Sequence, residues 1–255
     1  SMGRQQTVPT RVDEALATNS HPWAVKARRA LEVHRRRATA GSTERPLSLA
    51  ELVTTAEDVA SDSSAWELKI HSRADGIRVW RRRVDGSPHV EVRGHGLLRA
   101  PPATVVRCLQ STDVATLRSF NPMYDCGHDV QIFDPNFKVA YAHVRAAFPG
   151  FLPRDTVSTI QRARLPTGAS IFLQRAAEHP DAPRHKGLVR AKIIRGMFIV
   201  QPTAFRGETN FTFCQQVDPG GFVPAWVLNR IVAGEAVQFV SRLGHTARLE
   251  AVVGQ

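Results

Sequence analysis

The sequence contains no apolar run approaching the roughly 20 residues that a bilayer-crossing helix requires, and its N-terminus has no apolar signal-peptide core. A membrane-spanning chain is excluded on that ground, and a cytoplasmic location is expected. Cysteine is scarce: Cys108, Cys126 and Cys214 form an odd set with no CxxC pair. That pattern argues against a disulfide framework or a zinc site and reads as three small hydrophobic side chains. The motifs of common catalytic machinery are missing too. There is no GxSxG elbow, no HExxH and no phosphate-binding P-loop, and Cys126-Gly127-His128 is too short to be more than a turn. The Gly94-His95-Gly96 stretch lacks a third glycine at the required offset and sits within a strand-like run. No catalytic residue, metal or cofactor is expected. No internal repeat or long low-complexity segment is present.

Acidic residues are also in deficit. Asp and Glu number 23 against 34 Lys and Arg, for a net charge of +11, and the pI is near 10.7. Such a chain is drawn to polyanions, and charge alone admits both nucleic acid and anionic membrane surfaces. The distribution is uneven: residues 1–45 carry net +5 and residues 46–255 net +6. No nucleic-acid reader motif or repeated aromatic platform accompanies the arginines, so nucleic acid is not the expected partner.

What is present is enough apolar material, 42% of 255 residues, to bury a sizeable core. Ser1-Met2-Gly3 reads as the remnant of tag cleavage and is set aside. Residues up to 45 read as a basic arm and linker, with Trp23, Ala27, Ala30 and Leu31 on one side of a helix and the arginines mostly elsewhere. A solvated helix docked through Trp23 is preferred there to a membrane-surface helix, because the apolar face is thin. From Pro46 the chain becomes regular. Residues 47–60 show helical spacing behind Ser48, a suitable cap. Three strand-like runs follow between 65 and 100, then two short helices over 101–121. About six further strands, punctuated by Pro, Gly and Asp, lead to a final helix from about Pro224 to Leu243. This is an α+β layout: a long, curved antiparallel sheet with helices segregated along the sequence, of which only the last is long enough to cover the sheet.

In this setting the chain resembles the START family, the lipid-transfer domains related to the steroidogenic acute regulatory protein. The resemblance rests on "DPGGFVPAWVLN" (218–229), similar to the family's turn, Pro224, Trp226 and asparagine leading into a C-terminal lid helix. It rests also on "GFLPRD" (150–155), whose Arg154 and Asp155 match the Arg-Asp signature, and on "GLVRAKIIRGMFIVQP", with Arg190 at the usual arginine. It spans about residues 47–250. It implies a helix-grip fold: a long curved antiparallel sheet wrapped around the C-terminal helix, enclosing a hydrophobic cavity for one lipid. The implied function is non-catalytic lipid transfer between membranes by a monomer that associates peripherally with anionic membrane. Two alternatives stay open: a lipid-sensing regulatory module, and a cavity-based cyclase or hydrolase.

The residues expected at such a site fall into three groups. Val227, Leu228, Ile231, Val232 and Val240 on the last helix are candidates for the cavity wall, or else ordinary core. Phe148, Phe151 and Leu152 lie in the apolar loop 146–153, which the resemblance makes a roof that touches the lid. On the strand from Phe137, alternation puts Tyr141, His143 and Arg145 on one face and Ala140, Ala142 and Val144 on the other. Either the polar set meets a headgroup or the small set faces inward. Arg154 and Asp155 point to opposite faces of their strand and are assigned, with Arg190, Pro224 and Trp226, to architecture. Sterol-binding members pair an acidic residue on that strand with an arginine after the signature. Here His143 and Ile160 stand near those positions, so the resemblance favours a phospholipid.

Overall fold

In the computed structural model the described residues are 45–61, 63–146, 150–223 and 225–253. The basic arm expected over residues 1–45 lies outside them except for Arg45. The elements run α1 (Leu49–Ala60), β1 (Glu67–Ser72), β2 (Ile77–Arg82), β3 (Glu91–Leu98), α2 (Pro102–Gln110), α3 (Val114–Phe120), β4 (Tyr124–Asp134) and β5 (Phe137–Val144). They continue with β6 (Arg154–Arg164), β7 (Ser170–Ala176), β8 (Val189–Arg190), β9 (Lys192–Pro202), β10 (Thr209–Asp218) and α4 (Ala225–Val253). A single ten-stranded sheet has the order β1-β2-β3-β10-β9-β7-β6-β5-β4. It is antiparallel except where the two-residue β8 joins the start of β6 in parallel.

Register assigns the two faces. Arg162, Phe172, Phe198, Phe213 and Gly94 stand opposite one another across five neighbouring strands and so share one face. One position along, Gln161, Leu173, Met197, Cys214 and Arg93 share the other. We call the first face inner, because α4 packs on it. Val237, Val240, Leu243 and Ala247 of α4 join Phe211, Phe213, Val79 and Leu98 in the largest core cluster. The outer face is covered by α1, whose Leu52, Ala56 and Val59 meet Leu173, Met197, Ile199 and Cys214. The start of α1 follows from local chemistry. Ser48 accepts from the Glu51 backbone while the Glu51 carboxylate accepts from the Ser48 amide, a reciprocal capping box.

Two expectations about helices are corrected. The last helix continues ten residues beyond Leu243, and Gly244 does not stop it. A Cβ at Gly244 would lie 3.0 Å from Leu98 Cδ2. The helix accepts the glycine, at about 1 kcal/mol of helix propensity, to let its backbone approach β3. Nor does α4 cover the inner face alone: Val105 and Cys108 of α2 and Phe120 of α3 pack into the same core cluster. Gly94 and Gly96 are explained by the same close packing. A Cβ at Gly94 would sit 2.2 Å from Phe213 Cε1, and one at Gly96 would sit 3.1 Å from Val240 Cγ1, so bare backbone makes room for an aromatic ring and for α4.

Candidate functional site

Between the inner face, α4 and the α2–α3 pair lies a cavity of about 800 Å³, within the range of roughly 300–1,000 Å³ seen for ligand pockets. Alternation on the strands builds its floor. Phe172, Phe198 and Phe213 project inward from β7, β9 and β10, and Phe239 of α4 descends among them. The Phe239 ring lies 5.2 Å from Phe213, 5.9 Å from Phe198 and 6.0 Å from Phe120 of α3. These aromatic contacts join the sheet, α4 and α3 in one apolar wall. They were present in the sequence as alternating strand residues, but nothing local marked them as facing a cavity rather than solid core.

The open choice on β5 is resolved by its neighbours. Ala140, Ala142 and Val144 border the cavity together with Thr156 and Ile160 of β6. Phe137 and Val139 instead join Val157, Ala177 and Ala182 in an outer-face cluster against which Tyr141 also packs. The headgroup role expected of Tyr141, His143 and Arg145 competes with contacts these side chains already make. Tyr141 and Arg145 border the cavity, but the Tyr141 ring is engaged by His128 and His185 at 5.3 and 6.2 Å. His143 does not border the cavity. Its Nδ1 meets the Asp125 carboxylate at 3.0 Å, and Arg145 Nε reaches the same group at 3.1 Å. Asp125 also receives Arg118 at 2.8 Å. The arginine beside it, with His143 and Arg118, holds its carboxyl below the usual range. Asp125, Cys126 and His143 bring ligand atoms within 4.8 Å of one another. With two guanidiniums on its one carboxylate, that cluster is already neutralised and offers a cation little.

On α4, Val232 borders the cavity, together with Ala236 and Phe239. Val240 does not: it is fully buried beside Gly96 and Ile77 in the solid core. The wall assignment is corrected for that residue, because the helix turns it toward β3. Phe148 and Pro224 lie outside the described residues, as do the side chains of Trp226, Val227, Leu228 and Ile231. Phe151 borders the cavity mouth, whereas Leu152 is exposed and does not border it.

The junction between the sheet and α4 is held by Asp155 and Arg190. Asp155 and Arg190 form a bidentate pair, Nε to Oδ1 and Nη2 to Oδ2, both 2.9 Å and both buried. Arg190 Nη2 also donates to the carbonyls of Ala182 and Pro183 at 3.2 and 3.0 Å. The pair thereby fixes β8 and the 177–188 loop to β6. The turn before α4 rests on that fixed strand: Gly220 and Gly221 both have φ of +63°, and a Cβ on Gly220 would meet the Arg190 carbonyl at 2.7 Å. Asp218 Oδ1 accepts from the Gly220 amide at 2.9 Å, closing the turn. Arg154 faces the other way and links residues 151–152 to the turn before α4. It donates to the Leu152 carbonyl and, at 3.5 Å, to the Pro219 carbonyl, with its guanidinium 5.7 Å from the Phe151 ring.

The START domain family model matches residues 50–253, and the chain belongs to the START family of lipid-transfer domains. An uncharacterised protein of Pseudomonas aeruginosa is 25% identical over 187 residues, covering 73% of this chain and 89% of that protein. Human START domain-containing protein 10 is 33% identical over 123 residues, 42% of each chain. The matched stretch thus spans less than half of that human relative. Among solved structures, human STARD10 superposes with a TM-score of 0.71 at 21% identity, covering 82% of this chain and 83% of that one. The STAR-related lipid transfer protein fragment from Xanthomonas axonopodis gives 0.61 at 27% identity, covering 72% and 99%. The helix-grip fold follows: the long antiparallel sheet holding its C-terminal helix.

Proposed function

We propose that this domain carries one lipid molecule in the inner-face cavity, favours a phospholipid over a sterol, and transfers it between membranes without chemically altering it. The observation that carries the reading is the cavity itself: about 800 Å³, walled by Phe172, Phe198, Phe213 and Phe239, and capped by a helix that leaves a glycine turn. Exposing lipid to water costs roughly 0.8 kcal/mol per CH₂, so an apolar sleeve removes most of the barrier to carrying it between bilayers. The lid consists of the start of α4 and the 146–153 loop, with Arg154 clasping their hinge ends. Phe151, Leu152 and Phe222, all exposed near this end, supply apolar contact with a bilayer. The excess of basic residues prolongs residence on anionic membrane. Among the described residues, no helix is long and apolar enough to cross a membrane, which fits transient contact.

The test is transfer of labelled phospholipid and labelled cholesterol between donor and acceptor vesicles, with and without anionic lipid, followed by recovery of the cargo. Faster phospholipid transfer, accelerated by anionic vesicles and returning unmodified lipid, supports the reading. Faster sterol transfer, a converted cargo, or no transfer of either would each contradict the corresponding part.

A further inference from the structure

Two of the cations bordering the cavity are paired with carboxylates. Lys138 pairs with Asp129 at 2.6 Å, and Arg145 is committed to Asp125. Arg162 differs. It lies on the inner face of β6, opposite Phe172 and one inward position beyond Ile160. Its Nη1 donates to a neutral acceptor, Gln110 Oε1 at the end of α2, at 3.0 Å. Its guanidinium sits 5.8 Å from the Phe172 ring. Its Nε is buried and has no hydrogen-bond partner among the described residues, and no carboxylate of the described residues forms an ion pair with it.

Arg162 is half-buried, and a partly desolvated guanidinium without a carboxylate carries part of the cost of a buried charge. Burial, and then the like charge of Arg164, push its pKa down. Its Nε meets neither a carboxylate nor solvent. With Nη1 held by Gln110, the free side of the fork is the Nε–Nη2 edge, which matches two oxygens of one oxyanion side by side. Gln110 fixes the plane of the group, and Phe172 backs it, so the edge is preorganised.

We propose that Arg162 is the anchor for the oxyanion of an acyl-chain lipid, a phosphodiester or a carboxylate, held on its Nε–Nη2 edge at the β6–α2 end of the cavity. The acyl portion then runs past the Phe198–Phe213–Phe239 wall toward the mouth at Phe151 and Val223. This rests on the carrier reading above and sharpens it: the cargo is an acidic or phosphate-bearing lipid, and it enters charged end first.

The test measures binding of four fluorescent probes to the full chain and to Arg162→Met and Arg162→Lys: phosphatidylglycerol, phosphatidylcholine, a long-chain fatty acid and diacylglycerol. Arg162→Met should weaken binding of the oxyanion probes about tenfold or more, the scale of one charge-assisted hydrogen-bonded contact. Diacylglycerol should change less than about twofold, and Arg162→Lys should recover only part of the loss, since an ammonium lacks the fork. Whichever oxyanion probes show the loss identify the source, phospholipid or fatty acid. Near-UV circular dichroism and melting of the lipid-free variants report folding. Removing an uncompensated charge should leave the melting temperature unchanged or raised. If the full chain binds the probes and Arg162→Met binds all four within about twofold of it, the anchor is overturned while the carrier reading stands. If the full chain binds none of them, both fall.

Discussion

The two faces of the sheet differ in what completes their charged groups. On the outer face, the protein's own groups do so. Glu91, fully buried, receives Arg82 Nε at 2.6 Å and Arg195 Nη2 at 2.5 Å. Arg82 goes on to Asp58 of α1 and lies 4.3 Å from the Trp66 ring. Arg93, beneath the same helix, donates to the Val59 and Ser61 carbonyls at its C-terminal end, where the helix dipole favours a cation. The inner face, by contrast, keeps an open chamber and leaves Arg162 with only a neutral amide. The difference lies in what surrounds the cation: Arg93 is closed over by α1, whereas Arg162 borders an open cavity in which a ligand can complete it.

The comparison is broken most severely on the outer face. Replacing Glu91 by Ala leaves Arg82 and Arg195 facing each other without their buried anion, and should cost about 3–5 kcal/mol of stability, read by urea denaturation. The lipid bound per folded molecule should stay the same, because Glu91 does not border the cavity. A smaller contrast separates core from wall within α4. Val240→Ala should cost about 2 kcal/mol through lost methyl groups and the void left behind. Val232→Ala, which enlarges a space already open, should cost under about 1 kcal/mol but alter lipid affinity. Equal losses of stability would show that the cavity is not a cavity in solution.

The hinge comes next. Gly220→Ala places a Cβ against the Arg190 carbonyl at positive φ and should cost about 1–2 kcal/mol. Vesicle transfer should change more than equilibrium lipid retention, because the substitution disturbs the turn and not the wall. Smallest is the acid response of the α1 cap. The Arg45 hydrogen bond, followed by Ser48, holds the Glu51 carboxyl down at about 2. A carboxyl depressed in the folded state stabilises fully above its unfolded value near 4.5, and that contribution fades as pH falls toward 2. Glu51→Gln should flatten the stability curve between those limits. The change should be under about 1 kcal/mol, because the pair is solvent-exposed.

Much of the fold was legible because strands and helices are cleanly punctuated. The Asp218–Gly221 turn, the cap at Ser48 and the alternation from Phe137 onward each reported local structure correctly. Which face of a strand looks inward was not legible on β5. Both of its faces are covered, one by the cavity roof and the other by the 177–188 loop, so apolar residues occur on both and hydrophobicity cannot choose. Val240 and Val232 lie on one helical stripe, and only the glycines of β3 decide which of them meets solid core. Arg162 reads in sequence as one more arginine at a strand end. Its role emerges only when register sets it opposite Phe172 and the end of α2 comes over it.

The central claim is that the inner face encloses a chamber for a single lipid. Native mass spectrometry of the purified chain, followed by organic extraction, tests it directly. The account predicts a bound species close to one per chain, identified as an acyl lipid bearing an oxyanion and lost from Arg162→Met. A chain that is lipid-free, and remains so after incubation with phospholipid vesicles, would contradict it.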